Sequence, residues 1–187
     1  MQERSYTPES IVVLTTQERF NLFGCIVGAG VDARFDPALT LPLHDFLANC
    51  AASGARLVIL DEAHFVRARD LVEGLTSYLD DAQERPSLLD FIVVCSQRQA
   101  GDALLAHLVT YCGLYDIVYG CEGAALSAEL SRLIRHPNTR HDVLELLQGA
   151  SREHPWAPQD AQEGSTIVRS FDSSGEKIHI NIEITCK

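Results

Sequence analysis

The stretch Leu57–Phe65, which reads LVILDEAHF, places two adjacent carboxylates, Asp61 and Glu62, directly after an apolar run. Carboxylates at such a position can hold Mg²⁺ or take part in phosphoryl transfer. The letters DEAH would suit a nucleotide-hydrolysing ATPase, but that chemistry needs an upstream loop of the form G-x-x-x-x-G-K-[ST], and the chain contains no Gly-Lys pair. Without that loop the carboxylates cannot position a nucleotide, and an acidic cap on the next helix is the simpler interpretation.

A second motif that could do chemistry is the run IVGAGVDARF, in which Gly28, Gly30 and Ala33 match the dinucleotide-binding pattern G-x-G-x-x-A. That pattern binds a pyrophosphate only when a strand precedes the glycines and a helix opens at the third position. Here a helical pattern precedes the glycines, and Pro37 follows soon after. We interpret the glycines as the end of a helix and a turn, and a nucleotide cofactor is not favoured.

The elements that must position these residues alternate between apolar runs and amphipathic patterns. Strands that are apolar throughout are covered on both faces, so the alternation predicts a parallel sheet between two layers of helices. We expect an α/β, flavodoxin-like three-layer sandwich with a five-stranded parallel sheet of order 2-1-3-4-5. The predicted strands are Ser10–Leu14, Val31–Asp36, Arg56–Leu60, Phe91–Cys95 and Ile117–Tyr119, and the predicted helices are Gln17–Val27, Leu43–Ala52, Val66–Leu79, Ala103–Tyr111 and Ala124–Ile134.

The pattern changes after Pro137. Residues 1–136 are predicted to form the α/β domain, residues 137–150 an additional helix, and residues 151–187 a polar linker with a C-terminal β-hairpin. In the last strand of that hairpin four isoleucines alternate with polar residues, at Ile178, Ile180, Ile182 and Ile184. Such a strand has one apolar face, which must be covered by the domain or by a second copy of the chain. The sequence therefore favours self-association through this segment.

The predicted strand order brings five polar side chains to one edge of the sheet. In order 2-1-3-4-5, ligands bind outside the carboxyl ends of strands 1 and 3. Thr15 and Thr16 follow the first strand, Asp61 and Glu62 follow the third, and Ser96 follows the fourth. These residues form the candidate site.

This arrangement resembles the receiver domain of bacterial response regulators over most of the chain, about residues 10–136. The resemblance implies that Asp61 matches the phosphate-accepting aspartate and Ser96 the hydroxyl that senses the phosphoryl group. It also implies an acidic pair after the first strand, which holds Mg²⁺, and a lysine after the fifth. Here Thr15 and Thr16 replace the acidic pair, and the lysine position falls at Gly120 or Cys121.

Because both the metal ligands and the cation are replaced, the chain is similar to a pseudo-receiver, like the N-terminal domain of pilus-assembly localisation ATPases of the TadZ and CpaE type. We expect a non-catalytic module for protein–protein interaction, signalling or localisation, with no metal or cofactor. One alternative is a phosphorylatable receiver with Asp61 as acceptor, which would need Mg²⁺. A third is a small enzyme or nucleotide-binding protein that uses the crevice. Receiver-like domains interact through the fourth and fifth helices and the fifth strand, which suggests a surface at Tyr111, Leu114, Tyr115 and Tyr119.

Charge and cysteine usage limit the partners and the compartment. The net charge of −11 argues against nucleic acid and anionic membrane surfaces as partners. No apolar run is long enough to span a membrane, and the first residues carry no signal peptide, so we expect no membrane insertion and a cytoplasmic protein. The six cysteines form no C-x-x-C pair, and most lie in apolar runs, as buried thiols do in a reducing cytosol. The expected partner is another protein or a second copy of the chain, in a homo-oligomer such as a homodimer.

Overall fold

The computed structural model describes residues 6, 10–19, 22–23, 41–81, 89–147, 170–171 and 177–178. The chain divides into two compact units, Met1–Ser151 and Arg152–Lys187, and each is described by itself.

The first unit is built on a four-stranded sheet in which every strand is parallel to its neighbours. Its strands are β1 (Ile11–Leu14), β2 (Leu57–Asp61), β3 (Asp90–Cys95) and β4 (Ile117–Tyr119), in the spatial order β1-β2-β3-β4. Nearly all of their side chains are buried, as runs of apolar residues in a sheet covered on both faces must be. The α/β class with a parallel sheet is confirmed, and the architecture is compatible with a flavodoxin-like fold. The run predicted as the second strand, Val31–Asp36, lies outside the described residues.

Four α-helices lie wholly within the described residues: α1 (Leu43–Ala52), α2 (Ala68–Asp81), α3 (Ala103–Thr110) and α4 (Gly123–Arg135). A short 3-10 helix, Glu62–His64, follows β2 directly. The helix predicted at Gln17–Val27 is described only at residues 17–19 and 22–23, which are helical. All four α-helices lie within two residues of their predicted bounds. The sequence patterns thus located these four α-helices, but not the 3-10 helix Glu62–His64.

The helices pack on both faces of the sheet. One apolar cluster joins alternate strand residues to Phe23 and to the inner face of α4; it consists of Ile11, Val13, Phe23, Leu57, Ile59, Ile92, Val94, Val118, Leu126, Leu130 and Leu133. On the opposite face, Tyr78 of α2 meets Phe91 of β3 edge-on, with ring centroids 5.9 Å apart. Because Phe91 and Ile92 are adjacent in a strand, they point to opposite faces, so α2 and α4 cover different sides.

After α4 the chain is tied to the start of β4. The side-chain amide of Asn138 donates to the Tyr115 carbonyl at 3.0 Å, and its backbone N–H donates to the buried carboxylate of Asp116. The predicted additional helix at 137–150 is a 3-10 helix, Arg140–Leu147, which packs against α3 and buries Val143 and Leu146. The two bonds of Asn138 therefore anchor the segment that reaches α3.

The second unit contains a short antiparallel pair, β5 (Ser170–Phe171) with β6 (Lys177–Ile178), in which Ser170 faces Ile178. This is the position predicted for the C-terminal hairpin. Ile180, Ile182 and Ile184 lie outside the described residues, so the predicted isoleucine face stays a prediction.

Among the helices of the described ranges, none combines the length and the apolar character needed to cross a membrane.

Candidate functional site

The carboxylate of Asp61 is the centre of the site. Asp61 is the last residue of β2, and only 1% of its surface is exposed. Thr15 follows β1, the neighbouring strand, and its hydroxyl donates to Asp61 Oδ2 at 2.6 Å. The contact follows from the topology, because the carboxyl ends of parallel neighbours lie side by side. A buried carboxylate needs such donors, since an unpaired buried charge is very costly.

A guanidinium that the sequence analysis did not single out completes the pairing of Asp61. The backbone N–H of Arg19 donates to the Thr16 carbonyl at 3.1 Å, in the first turn of the helical segment after β1. Its side chain then reaches back over the strand ends. Arg19 Nε donates to Asp61 Oδ2 at 2.7 Å, and Nη2 donates to Ser96 Oγ at 3.2 Å. The guanidinium of Arg19 thereby joins the carboxylate of Asp61 to the hydroxyl of Ser96, the residue after β3.

The two carboxylate oxygens of Asp61 accept hydrogen bonds from different donors. Oδ2 accepts from Thr15 and Arg19, whereas Oδ1 accepts from the backbone N–H of Ala63 at 3.3 Å. The latter bond caps the 3-10 helix that follows, as the simpler interpretation of the Asp-Glu pair proposed. Thr16 takes part through its carbonyl. The carboxylate is thus held by one charged, one hydroxyl and one backbone donor.

Glu62 faces a different partner. Its carboxylate accepts from Arg98 Nε at 3.0 and 3.2 Å and also from Nη2, a bidentate pair that raises the pKa of the guanidinium. Arg98 Nη1 in turn donates to Asp102 at 3.2 Å, and Asp102 caps α3 through the Leu104 N–H at 2.8 Å. Glu62 therefore belongs to a second ion pair, beside that of Asp61.

An open pocket of about 470 Å³ lies over these two pairs. Its charged lining consists of three carboxylates, from Asp61, Glu62 and Asp102, and two guanidinium groups, from Arg19 and Arg98. The lining carries a net charge of −1 when all five groups are ionised. Such a nearly balanced lining has no strong preference for an anion or a cation.

The residues at the end of β1 and β2 do not fit the magnesium site that the receiver resemblance implies. Mg²⁺ prefers carboxylate oxygens, but the chain offers the hydroxyls of Thr15 and Thr16 after β1. Asp61 is bound to Arg19, and Glu62 to Arg98. Within the described ranges, no three His, Cys, Asp or Glu side chains come together in a group that could hold a metal ion.

The loop after β4 does not supply the lysine of the receiver pattern either. Gly120 has no side chain and adopts φ +61°, the left-handed region that favours glycine. Cys121 packs against the apolar cluster that includes the inner face of α4, and it does not line the pocket. The cation at Asp61 comes instead from Arg19, on the first strand's side. In the sequence its only signal is a basic residue one helical turn after Thr15.

Two further residues lie close to the site without lining its pocket. His64 is half-buried, and its Nδ1 lies 3.0 Å from the Thr15 carbonyl. The bond ties the 3-10 helix after β2 to the end of β1. Cys95, which ends the apolar run of β3, is fully buried, and burial raises the pKa of its thiol.

The residues predicted to form an interaction surface differ in how exposed they are. Tyr111, at the end of α3, is 40% exposed and stacks on His107 with ring centroids 4.7 Å apart. Leu114, Tyr115 and Tyr119 are half-buried. The Tyr115 carbonyl is bound by Asn138, and the 3-10 helix Arg140–Leu147 lies against α3 beside this region.

Comparison of the chain with protein-family models, with curated protein sequences and with solved structures returned no match.

Proposed function

We propose that the protein is a pseudo-receiver, a non-catalytic module for protein–protein interaction in signalling or localisation. The proposal includes the complete five-stranded sheet of order 2-1-3-4-5, with Val31–Asp36 as the strand beside β1. The partner is another protein or a second copy of the chain, not nucleic acid, and the compartment is the cytoplasm.

The ion pair between Arg19 and Asp61 is the observation that carries this proposal. Phosphoryl transfer to a carboxylate needs that carboxylate to act as a nucleophile while a metal and a cation neutralise the developing charge. Oδ2 of Asp61 already accepts two hydrogen bonds, at 2.6 and 2.7 Å, and Asp61 is almost completely buried. The pair supports a site that keeps the receiver's positions without its reaction.

The test is incubation of the full chain with Mg²⁺ and acetyl phosphate, followed by intact mass spectrometry. We expect no phosphoryl adduct on the wild type, and the same result for the matched control Asp61→Asn. An adduct on the wild type that Asp61→Asn lacks would reject the pseudo-receiver and support the alternative, a phosphorylatable receiver with Asp61 as acceptor.

The interaction part of the proposal is tested by the molar mass of the full chain in solution. We expect self-association that weakens in Tyr111→Glu, because Tyr111 is the exposed aromatic residue of the predicted surface. The control is Val66→Glu, since Val66 is 97% exposed in a different loop, before α2. If Val66→Glu dissociates the assembly and Tyr111→Glu does not, the surface includes the loop before α2 and not the end of α3, and this part of the proposal is wrong.

A further inference from the structure

We infer that Arg19 is a built-in replacement for the divalent cation at this site, so that the link between Asp61 and Ser96 is permanent and does not respond to Mg²⁺. This inference rests on the proposed pseudo-receiver function and adds how the site is regulated. A receiver site changes state when a metal and a phosphoryl group arrive; this one carries its cation in the chain.

The geometry of the guanidinium is the first argument. Arg19 is planar and offers several donors in a fixed fork, so one group can bind two acceptors at once. Nε lies 2.7 Å from Asp61 Oδ2 and Nη2 lies 3.2 Å from Ser96 Oγ, which places the cation across the ends of β2 and β3. The acceptor position and the switch hydroxyl of the receiver pattern are therefore joined without any added ligand.

Charge is the second argument. Removal of Arg19 would change the formal charge of the pocket lining from −1 to −2 and leave Asp61 with only hydroxyl and backbone donors. That is a better environment for a divalent cation than the wild type offers.

A purely structural role for Arg19 makes a different prediction. If Arg19 only satisfied a buried carboxylate, its removal would lower stability and leave the affinity for metal ions unchanged. The two possibilities are separated by metal binding, which a structural role would not alter.

The experiment titrates Mn²⁺ into the full chain and follows the free ion by electron paramagnetic resonance. The variants are Arg19→Ala, Arg19→Lys, Asp61→Asn and the double variant Arg19→Ala with Asp61→Asn. We expect no saturable binding to the wild type or to Arg19→Lys, which keeps the positive charge. Arg19→Ala should bind saturably, with a dissociation constant at least about tenfold below the highest Mn²⁺ concentration at which the wild type shows no binding, and the double variant should lose this binding. Mn²⁺ should also raise the melting temperature of Arg19→Ala alone.

Saturable Mn²⁺ binding to the wild type that Asp61→Asn abolishes would overturn the inference, whether or not any Arg19 variant folds. So would a folded Arg19→Ala that binds no better than the wild type. If Arg19→Ala does not fold, it is replaced by Arg19→Gln, which keeps a polar side chain without the charge. The same gain in Mn²⁺ binding is expected of this variant. Failure of the proposed function would be seen separately, as an acetyl phosphate adduct on the wild type.

Discussion

Two buried aspartates lie at opposite ends of the same sheet and are satisfied in different ways. Asp61 ends β2 at the carboxyl edge and is 1% exposed, and Asp116 precedes β4 at the amino edge and is 6% exposed. Asp61 is paired with the side chains of Thr15 and Arg19, which come from a distant part of the chain. Asp116 accepts the backbone N–H of Asn138.

The difference shows that burial of a carboxylate does not by itself mark a functional site. At the amino edge the partner includes a main-chain donor, and the result is a fixed connection between α4 and the segment that follows it. At the carboxyl edge the partner is a long side chain that is 22% exposed and lines a pocket. A single substitution removes a side-chain partner, whereas a backbone N–H donor remains when its side chain is replaced by any residue except proline.

The largest effect should follow from breaking the pair at the carboxyl edge. We expect Arg19→Ala to lower the free energy of unfolding by about 3 kcal/mol, because it leaves Asp61 buried without its counter-charge. Urea denaturation measures it. The matched control is Arg67→Ala, which removes a 73% exposed arginine from its pair with Asp70 and should change the free energy of unfolding far less, because water screens that pair. Equal effects of the two substitutions would show that the buried pair of Asp61 contributes no more to stability than an exposed pair.

The next largest effect on stability should come from the 3-10 helix Arg140–Leu147, which the contacts of Asn138 at the amino edge hold in place. Leu146 is fully buried in the 3-10 helix against α3, whereas Leu144 is 42% exposed two residues earlier. We expect Leu146→Ala to cost about 2 to 3 kcal/mol and Leu144→Ala about 0.5 kcal/mol or less, by urea denaturation. If the two variants were equally stable, the segment after Asn138 would not belong to the folded unit.

The smallest expected effect on stability comes from an exposed ion pair, with which the buried aspartates at the two edges of the sheet can be compared. The carboxylates of Asp45 and Asp81, 3.1 and 2.8 Å from the His44 ring, raise the pKa of this histidine above its usual 6.5. A raised pKa in the folded state means that the stabilisation is complete below pH about 6.5 and is lost as the pH rises through the folded value. We expect a difference of at most about 1 kcal/mol, because the pair is at the surface.

The measurement compares thermal unfolding of the wild type and His44→Gln across neutral pH. The two proteins should differ most on the acidic side and converge as the pH rises. A difference that grows with pH would contradict the sign, and one as large as that of Arg19→Ala would remove the contrast between exposed and buried pairs.

The sequence predicted the backbone of this molecule better than its site. The apolar runs LVIL and FIVVC located β2 and β3 because a strand covered on both faces can contain little else. The helix predicted at Val66–Leu79 begins at Ala68, and Val66 is 97% exposed in the loop before it. A single apolar residue at a loop carries no information about which side it faces.

The candidate site was predicted only as far as topology decides it. Thr15 and Asp61 meet because they end neighbouring strands, a consequence of strand order alone. Arg19 and Arg98 could not be found in this way, because the ends of long side chains are placed by rotamer choice and by available acceptors, not by register. The charge balance of the pocket, which decides what it can bind, depends on these two residues.

The shortness of β4 has a consequence for the protein in a concentrated solution. With three residues, this last strand of the described sheet presents few backbone groups with which a strand from another molecule could pair. The chain enters it from Asp116, which is bound to Asn138, and leaves it at Gly120 with φ +61°, a turn away from the strand direction. Two molecules that meet at this edge would find no extended template, so growth of a continuous intermolecular sheet, the first step toward fibrous aggregates, is disfavoured there.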